Sequence, residues 1–161
     1  MMTQNAVTQA NIDQLRTAQI APQKMLIGSD WRSSQSEAVM EVISPIDGAA
    51  FTSIASGSQA DVDAAVAAAR SSFERGVWRN MPPMARKAVL LKWADLIEAD
   101  TLALTVLGVR DNGTEIGMAE KAEAGSAIRT IRFYAEAIDK IYGEVAPTPG
   151  SHLGMILREP V

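Results

Sequence analysis

Hydrophobic residues recur at every second position early in the chain and at every third or fourth position after Ser58, so strands are expected before helices. Lys24-Met25-Leu26-Ile27, then Gly28-Ser29-Asp30 and Trp31, reads as a strand, a tight turn and a return. A second pair comes next. Val39 to Ile43 is β-branched and apolar at alternating positions, Ser44-Pro45-Ile46-Asp47-Gly48 is a turn cluster, and Ala50 to Ala55 runs back. Residues 1–23, rich in Gln, Thr and Ala, read as a polar tail or short helix, and Asp13 beside Arg16 argues against a transit peptide.

The period then changes. Ser58 precedes Asp61 by three residues, the spacing at which a hydroxyl and a carboxylate satisfy free N–H groups at a helix start. Val62, Ala65, Val66, Ala69 and Phe73 make a narrow apolar stripe on that helix, and Gly76 ends it. Pro82-Pro83 opens the next, where a missing N–H costs nothing, with Val89, Trp93, Leu96 and Ile97 as its expected buried face. Asp100-Thr101 interrupts, Leu102 to Val109 continues, and Asp111-Asn112-Gly113 is a left-handed stop, after which Thr114 caps the next helix. Ala124, Ile128, Ile131, Ala135, Ile138 and Tyr142 predict one long helix from Glu115 to Tyr142, stopped by Gly143. Pro147-Thr148-Pro149-Gly150-Ser151 is a turn, and Met155-Ile156-Leu157 begins a strand.

Composition narrows the function classes. With 47% hydrophobic and 21% charged residues among 161, the chain is one globular domain or a piece of a larger one. Its net charge is −4 and its Lys and Arg are scattered, so no basic face exists for nucleic acid. No apolar run approaches the roughly 18 residues that span a bilayer. The start Met1-Met2-Thr3-Gln4 carries no secretory pattern, which points to the cytoplasm. The chain has no cysteine, which excludes a disulfide framework, a thiolate metal site and a cysteine nucleophile within these residues.

The search for chemistry is nearly empty. No glycine-rich phosphate loop, dinucleotide fingerprint or paired metal-ligand motif is present. His152, the one histidine, sits beside a turn and reads as an exposed loop residue. Asn112-Gly113-Thr114 has the form of a glycosylation sequon but reads as a turn and cap. Asp111 is a cap or a cation ligand. Arg129, Arg132 and Lys140 alternate with Glu136 and Asp139 as a solvated face with pairing along the helix. Trp31, Trp78 and Trp93 read as core or interface anchors.

Four stretches, in order and spacing, resemble the aldehyde dehydrogenase superfamily across the chain from Lys24. They are Ile43-Ser44-Pro45-Ile46-Asp47-Gly48; Ala85-Arg86-Lys87 through Ala94-Asp95-Leu96-Ile97-Glu98; Arg132-Phe133-Tyr134-Ala135 through Asp139-Lys140-Ile141-Tyr142-Gly143; and Arg158-Glu159-Pro160-Val161. The run from Tyr134 to Val145 is most similar to members acting on γ-glutamyl-γ-aminobutyraldehyde and related amino-aldehydes. Gly108, where relatives often have Glu, and Thr114, where Lys commonly follows Asn-Gly, depart from the pattern.

The resemblance implies an α/β fold of which this is an incomplete N-terminal part: β-hairpins, then three or four helices, then the start of an oligomerisation hairpin. Residues 24–142 would belong to the cofactor-binding domain and residues 143–161 to the oligomerisation arm. It implies oxidation of an aldehyde to an acid with NAD or NADP, through a thiohemiacetal on a cysteine and hydrolysis aided by a glutamate. Those groups lie outside these residues, so the expectation is a fragment, inactive alone and binding no cofactor tightly, of a homo-oligomeric parent. The alternative is a stand-alone, non-catalytic interaction module that docks by adding a strand. Asp111, with backbone carbonyls near Val42 and Ile43, matches a position that helps hold a structural alkali cation, and Ser126 and Thr130 fall near a substrate-tunnel entrance. Helices cut away from the sheet they cover are expected to leave apolar stripes exposed.

Overall fold

The computed structural model describes residues 7–160. Helix α1 (Gln9–Thr17) is followed by two antiparallel hairpins, β1 (Met25–Ile27) with β2 (Asp30–Arg32) and β3 (Val39–Ile43) with β4 (Ala50–Ala55). Helices α2 (Gln59–Arg75), α3 (Pro83–Ala99) and α4 (Thr101–Asn112) come next. Then α5 (Ile116–Ala119), a π-helical turn (Glu120–Ala124) and α6 (Gly125–Ala137) run end to end, and β5 (Glu144–Ala146) pairs with β6 (Gly154–Ile156). The three hairpins are separate two-stranded sheets, with one parallel bridge between Gln23 and Ile54.

Local signals act where they were legible. Ser58 and Asp61 form a reciprocal capping box, and Gly76 closes α2 at φ 72°. Pro83 occupies the first turn of α3. Asp61 does more than cap: its Oδ2 accepts from the Ser34 hydroxyl at 2.9 Å and both its oxygens accept from the Gln35 N–H at 3.2 Å, tying the loop after β2 to α2. The Ser58 N–H and hydroxyl, with Ser34 and Gln35, hold this carboxyl down to about 2. A carboxyl depressed in the folded state stabilises above its ordinary value of 3.8, and that stabilisation is lost as pH falls toward about 2. Asp61→Ala should therefore lower the melting temperature at neutral pH by about 5 °C or more and flatten its dependence on pH across that acid window, as read by circular dichroism melts at several pH values.

Other expectations need correction. The helix expected from Glu115 to Tyr142 is broken by the π turn and ends in a 3-10 turn, Ile138–Lys140, followed by an extended Ile141. Its cap is Glu115, whose carboxylate accepts from the Gly117 and Met118 N–H groups at 2.9 Å, and not Thr114. Those two bonds lower the Glu115 carboxyl. Gly143 is no left-handed stop: it has no positive φ, and a side chain there would meet the Ile156 carbonyl at 2.7 Å. Glycine is needed for that close approach of the hairpin strands.

The buried faces also differ. α3 packs chiefly on α6, and Ala94 is its buried residue, flanked by half-buried Leu90, Leu91 and Ile97. Val89, Trp93 and Leu96 face away and are 48%, 53% and 53% exposed. Val62 and Val66 of α2 and all three tryptophans are likewise exposed, so none of the tryptophans anchors the core. That core is small: Leu102, Thr105 and Val106 of α4 beside Ala119 and Ala124; Ile128 and Ala135 of α6 beside α3 with its Ala94; and Ile27 apart. Arg132 makes ion pairs across to Asp95 and Glu98 of α3 at 3.0 and 2.6 Å, and Lys87 pairs with Glu136 at 2.6 Å. The charged face thus joins two helices, beyond the pairing along one helix represented by Glu136 and Lys140.

Candidate functional site

A groove of about 610 Å3 lies between the β3–β4 hairpin and α4. Val42 lines it from β3, and Asp111, exposed in the last turn of α4, lines it from the other side; Ile43 is not among its lining residues. The hairpin carries a bulge opposite the Val42/Ile43 step: Val42 pairs with Thr52 and Ile43 with Ala50, so Phe51 is the extra residue. Helix α4 stops at Gly113, φ 77°, where a side chain would lie 3.1 Å from Pro45 Cγ in the hairpin turn. That close approach brings the end of α4 against the β3–β4 turn.

Asn112 behaves as a turn residue. Its Oδ1 accepts from the Thr114 N–H at 2.8 Å, and its Nδ2 donates to Glu123 at 2.9 Å. The Glu123 carboxylate occupies the space a side chain at Gly108 would need. In the turn, the Ala49 N–H and then the Ser44 side chain lower the Asp47 carboxyl. Asp111 is the one carboxylate among the residues lining the groove, and a carboxylate is a hard oxygen donor. No group of three or more His, Asp or Glu side chains able to hold a metal occurs among the described residues.

Ser126 and Thr130 are both exposed, one turn apart on α6, opposite its buried Ile128 and Ala135, and neither lines the groove between α4 and β3. The structure thus brings Val42 and Asp111 to one groove and leaves Ser126 and Thr130 on a separate helix face. His152 is exposed, with its Nδ1 2.8 Å from the Ser151 hydroxyl. Sequence reasoning missed Arg110, whose guanidinium stacks 4.8 Å above the Phe51 ring and donates to the Ala18 carbonyl at 2.9 Å. Its position in the last turn of α4 was legible; its partners, some 60 and 90 residues away, were not. No helix among the described residues is long and apolar enough to cross a membrane.

Known proteins share this fold. The chain is 43% identical over 138 residues to the NADP/NAD-dependent aldehyde dehydrogenase PuuC of Escherichia coli K12, covering 86% of this chain and 28% of that protein. A γ-glutamyl-γ-aminobutyraldehyde dehydrogenase from Burkholderia cenocepacia superposes with a TM-score of 0.83 at 38% identity, over 89% of this chain and 29% of that one. An indole-3-acetaldehyde dehydrogenase of P. syringae, solved with NAD+, superposes with a TM-score of 0.91 at 33% identity, over 97% of this chain and 32% of that one. These hairpins and helices are therefore a partial aldehyde dehydrogenase fold, and the chain spans about 28% of the length of the first curated relatives it matches. Residues 31–161 match the model of the aldehyde dehydrogenase family, and the chain belongs to that family.

Proposed function

We propose that these residues are the N-terminal part of an NAD(P)-dependent dehydrogenase that oxidises an amino-aldehyde to the carboxylic acid. The observation that carries this reading is the 43% identity to PuuC, supported by 36% identity over 140 residues to an aminoacetaldehyde dehydrogenase of Pseudomonas aeruginosa. On this reading residues 24–142 belong to the cofactor-binding domain and residues 143–161 begin an oligomerisation arm, in a cytoplasmic homo-oligomer. The chain includes no cysteine and no glycine-rich loop between a strand and a helix, so thiol addition and hydride transfer are assigned to other parts of the parent.

These residues serve to position. Asp111, with the carbonyls of Val42 and Ile43, would hold a structural alkali cation that ties α4 to the bulged hairpin. Ser126 and Thr130, on the exposed face of α6, would line the approach of the aldehyde. Reading the coding sequence beyond the codon for Val161 tests the main proposal: a frame continuing into a cysteine-bearing stretch supports it. A stop codon there favours a stand-alone interaction module, for which the observation is the exposed apolar pair Val145 and Met155 on the β5–β6 hairpin. For the cation, replacing sodium by choline in a thermal melt should lower the transition by a few degrees, and Asp111→Asn should abolish that difference.

A further inference from the structure

The groove beside Asp111 is half of a longer trough. Beyond Arg110 a second cavity of about 700 Å3 continues between the hairpin turn and the start of α5, with Ile46, Val109 and Ile116 in its walls. Phe51, Val106 and Arg110 line both cavities, so the stacked Arg110–Phe51 pair is the partition between them. Helix α1 lies across the whole trough: Leu15 and Ala18 border the first cavity, and Gln9, Ile12 and Arg16 border the second.

Helix α1 packs on α4 through contacts that remain partly open to solvent. It has nine residues, short of the roughly 12–15 at which an isolated helix becomes marginally stable. No residue of α1 is fully buried, and the Thr8 hydroxyl caps it by accepting from the Asn11 N–H at 3.3 Å. Its last carbonyls are held from outside. One guanidinium nitrogen of Arg110 donates to Leu15 at 3.4 Å and to Ala18 at 2.9 Å, a cation placed at the negative end of the helix.

We propose that α1 is a removable strap, latched by Arg110, which lifts from the trough as a unit while the remaining helices stay folded. The helicity of α1 and its docking are then one event, because neither the helix alone nor the apolar contacts alone suffice. Lifting it would open the apolar walls of both cavities to solvent on either side of the Arg110–Phe51 pair. The strap works in the same way with or without a cation at Asp111.

Hydrogen–deuterium exchange on the full 161-residue chain tests the proposal. Arg110→Ala should speed exchange of the amides of residues 12–18 by about tenfold or more and speed tryptic cleavage after the already exposed Arg16, while α2 and α3 amides stay within about twofold. Arg110→Lys, which keeps the charge but loses the planar fork, should fall between. Phe51→Leu, which removes the stack and keeps an apolar side chain, should speed the same amides alone. Unchanged exchange in α1 with Arg110→Ala would overturn the proposal, and so would an equal rise in α2 and α3, since α1 would then open only with the whole.

Discussion

A purified polypeptide of these 161 residues, supplied with NAD or NADP and γ-glutamyl-γ-aminobutyraldehyde, is expected to form no reduced cofactor above the protein-free rate. Family chemistry runs through a thiolate adding to the carbonyl carbon, and the chain has no cysteine to supply it. Loss of a nucleophile of this kind costs on the order of a millionfold in rate. The nearest substitute is the Ser151 hydroxyl, 2.8 Å from His152 Nδ1, but both residues are exposed on a hairpin loop. The Thr148 hydroxyl also reaches His152, but it donates to the backbone carbonyl and does not orient the ring as a third group would. Turnover that vanished in Ser151→Ala would show that this pair had taken over the role and would sink the expectation; so would turnover that survived it.

What the sequence disclosed, and what it withheld, divides by distance along the chain. Ser58, Gly76 and Pro83 act within a turn of themselves, as do Asp61 and Gly113 in their capping roles, whereas the bonds of Asp61 to Ser34 and Gln35 and the approach of Gly113 to Pro45 reach across the chain. The faces of α3 are another matter. Val89, Trp93 and Leu96 recur at helical spacing, and so do Leu90, Ala94 and Ile97 one residue on; periodicity cannot rank two apolar faces of one helix. Partners decide, and α6 takes the second face. The π turn at Glu120–Ala124 is hidden for a similar reason, since one inserted residue shifts a 3.6-residue pattern only slightly while turning the next face.

The candidate site was legible only in its chemistry. Asp111 is visible as a carboxylate near a helix end, but the groove that holds it is made by the bulge opposite Val42 and by the contact of Gly113 with Pro45, which join segments about 70 residues apart. Arg110 is hidden more deeply, because an arginine in a last helical turn is ordinary and its ring partner sits on a bulged strand. Ser126 and Thr130 owe their place wholly to the family resemblance; nothing in their spacing distinguishes them from any exposed pair on α6.

The exposed face of α3 sets the second large expectation: the isolated chain self-associates. Val89, Trp93 and Leu96 form one stripe about half open to solvent, and covering the open half is worth roughly 2–4 kcal/mol per chain. Further apolar surface lies elsewhere, with Val62 and Val66 on α2 and Phe133 and Tyr134 on α6. Patches on several faces do not match one another through a single two-fold contact, so association should run past the dimer to a distribution of sizes. Light scattering on the fresh protein should report this, and a dye that lights up on apolar surface should fluoresce several-fold above a folded control of equal size. Val89→Glu with Trp93→Glu, which leaves the α6-facing Leu90, Ala94 and Ile97 intact, should cut both signals sharply while helix content holds. A monodisperse monomer with a single sharp melt in the unaltered chain would mean that the stripe needs no cover, and that these helices are complete without a sheet to pack on.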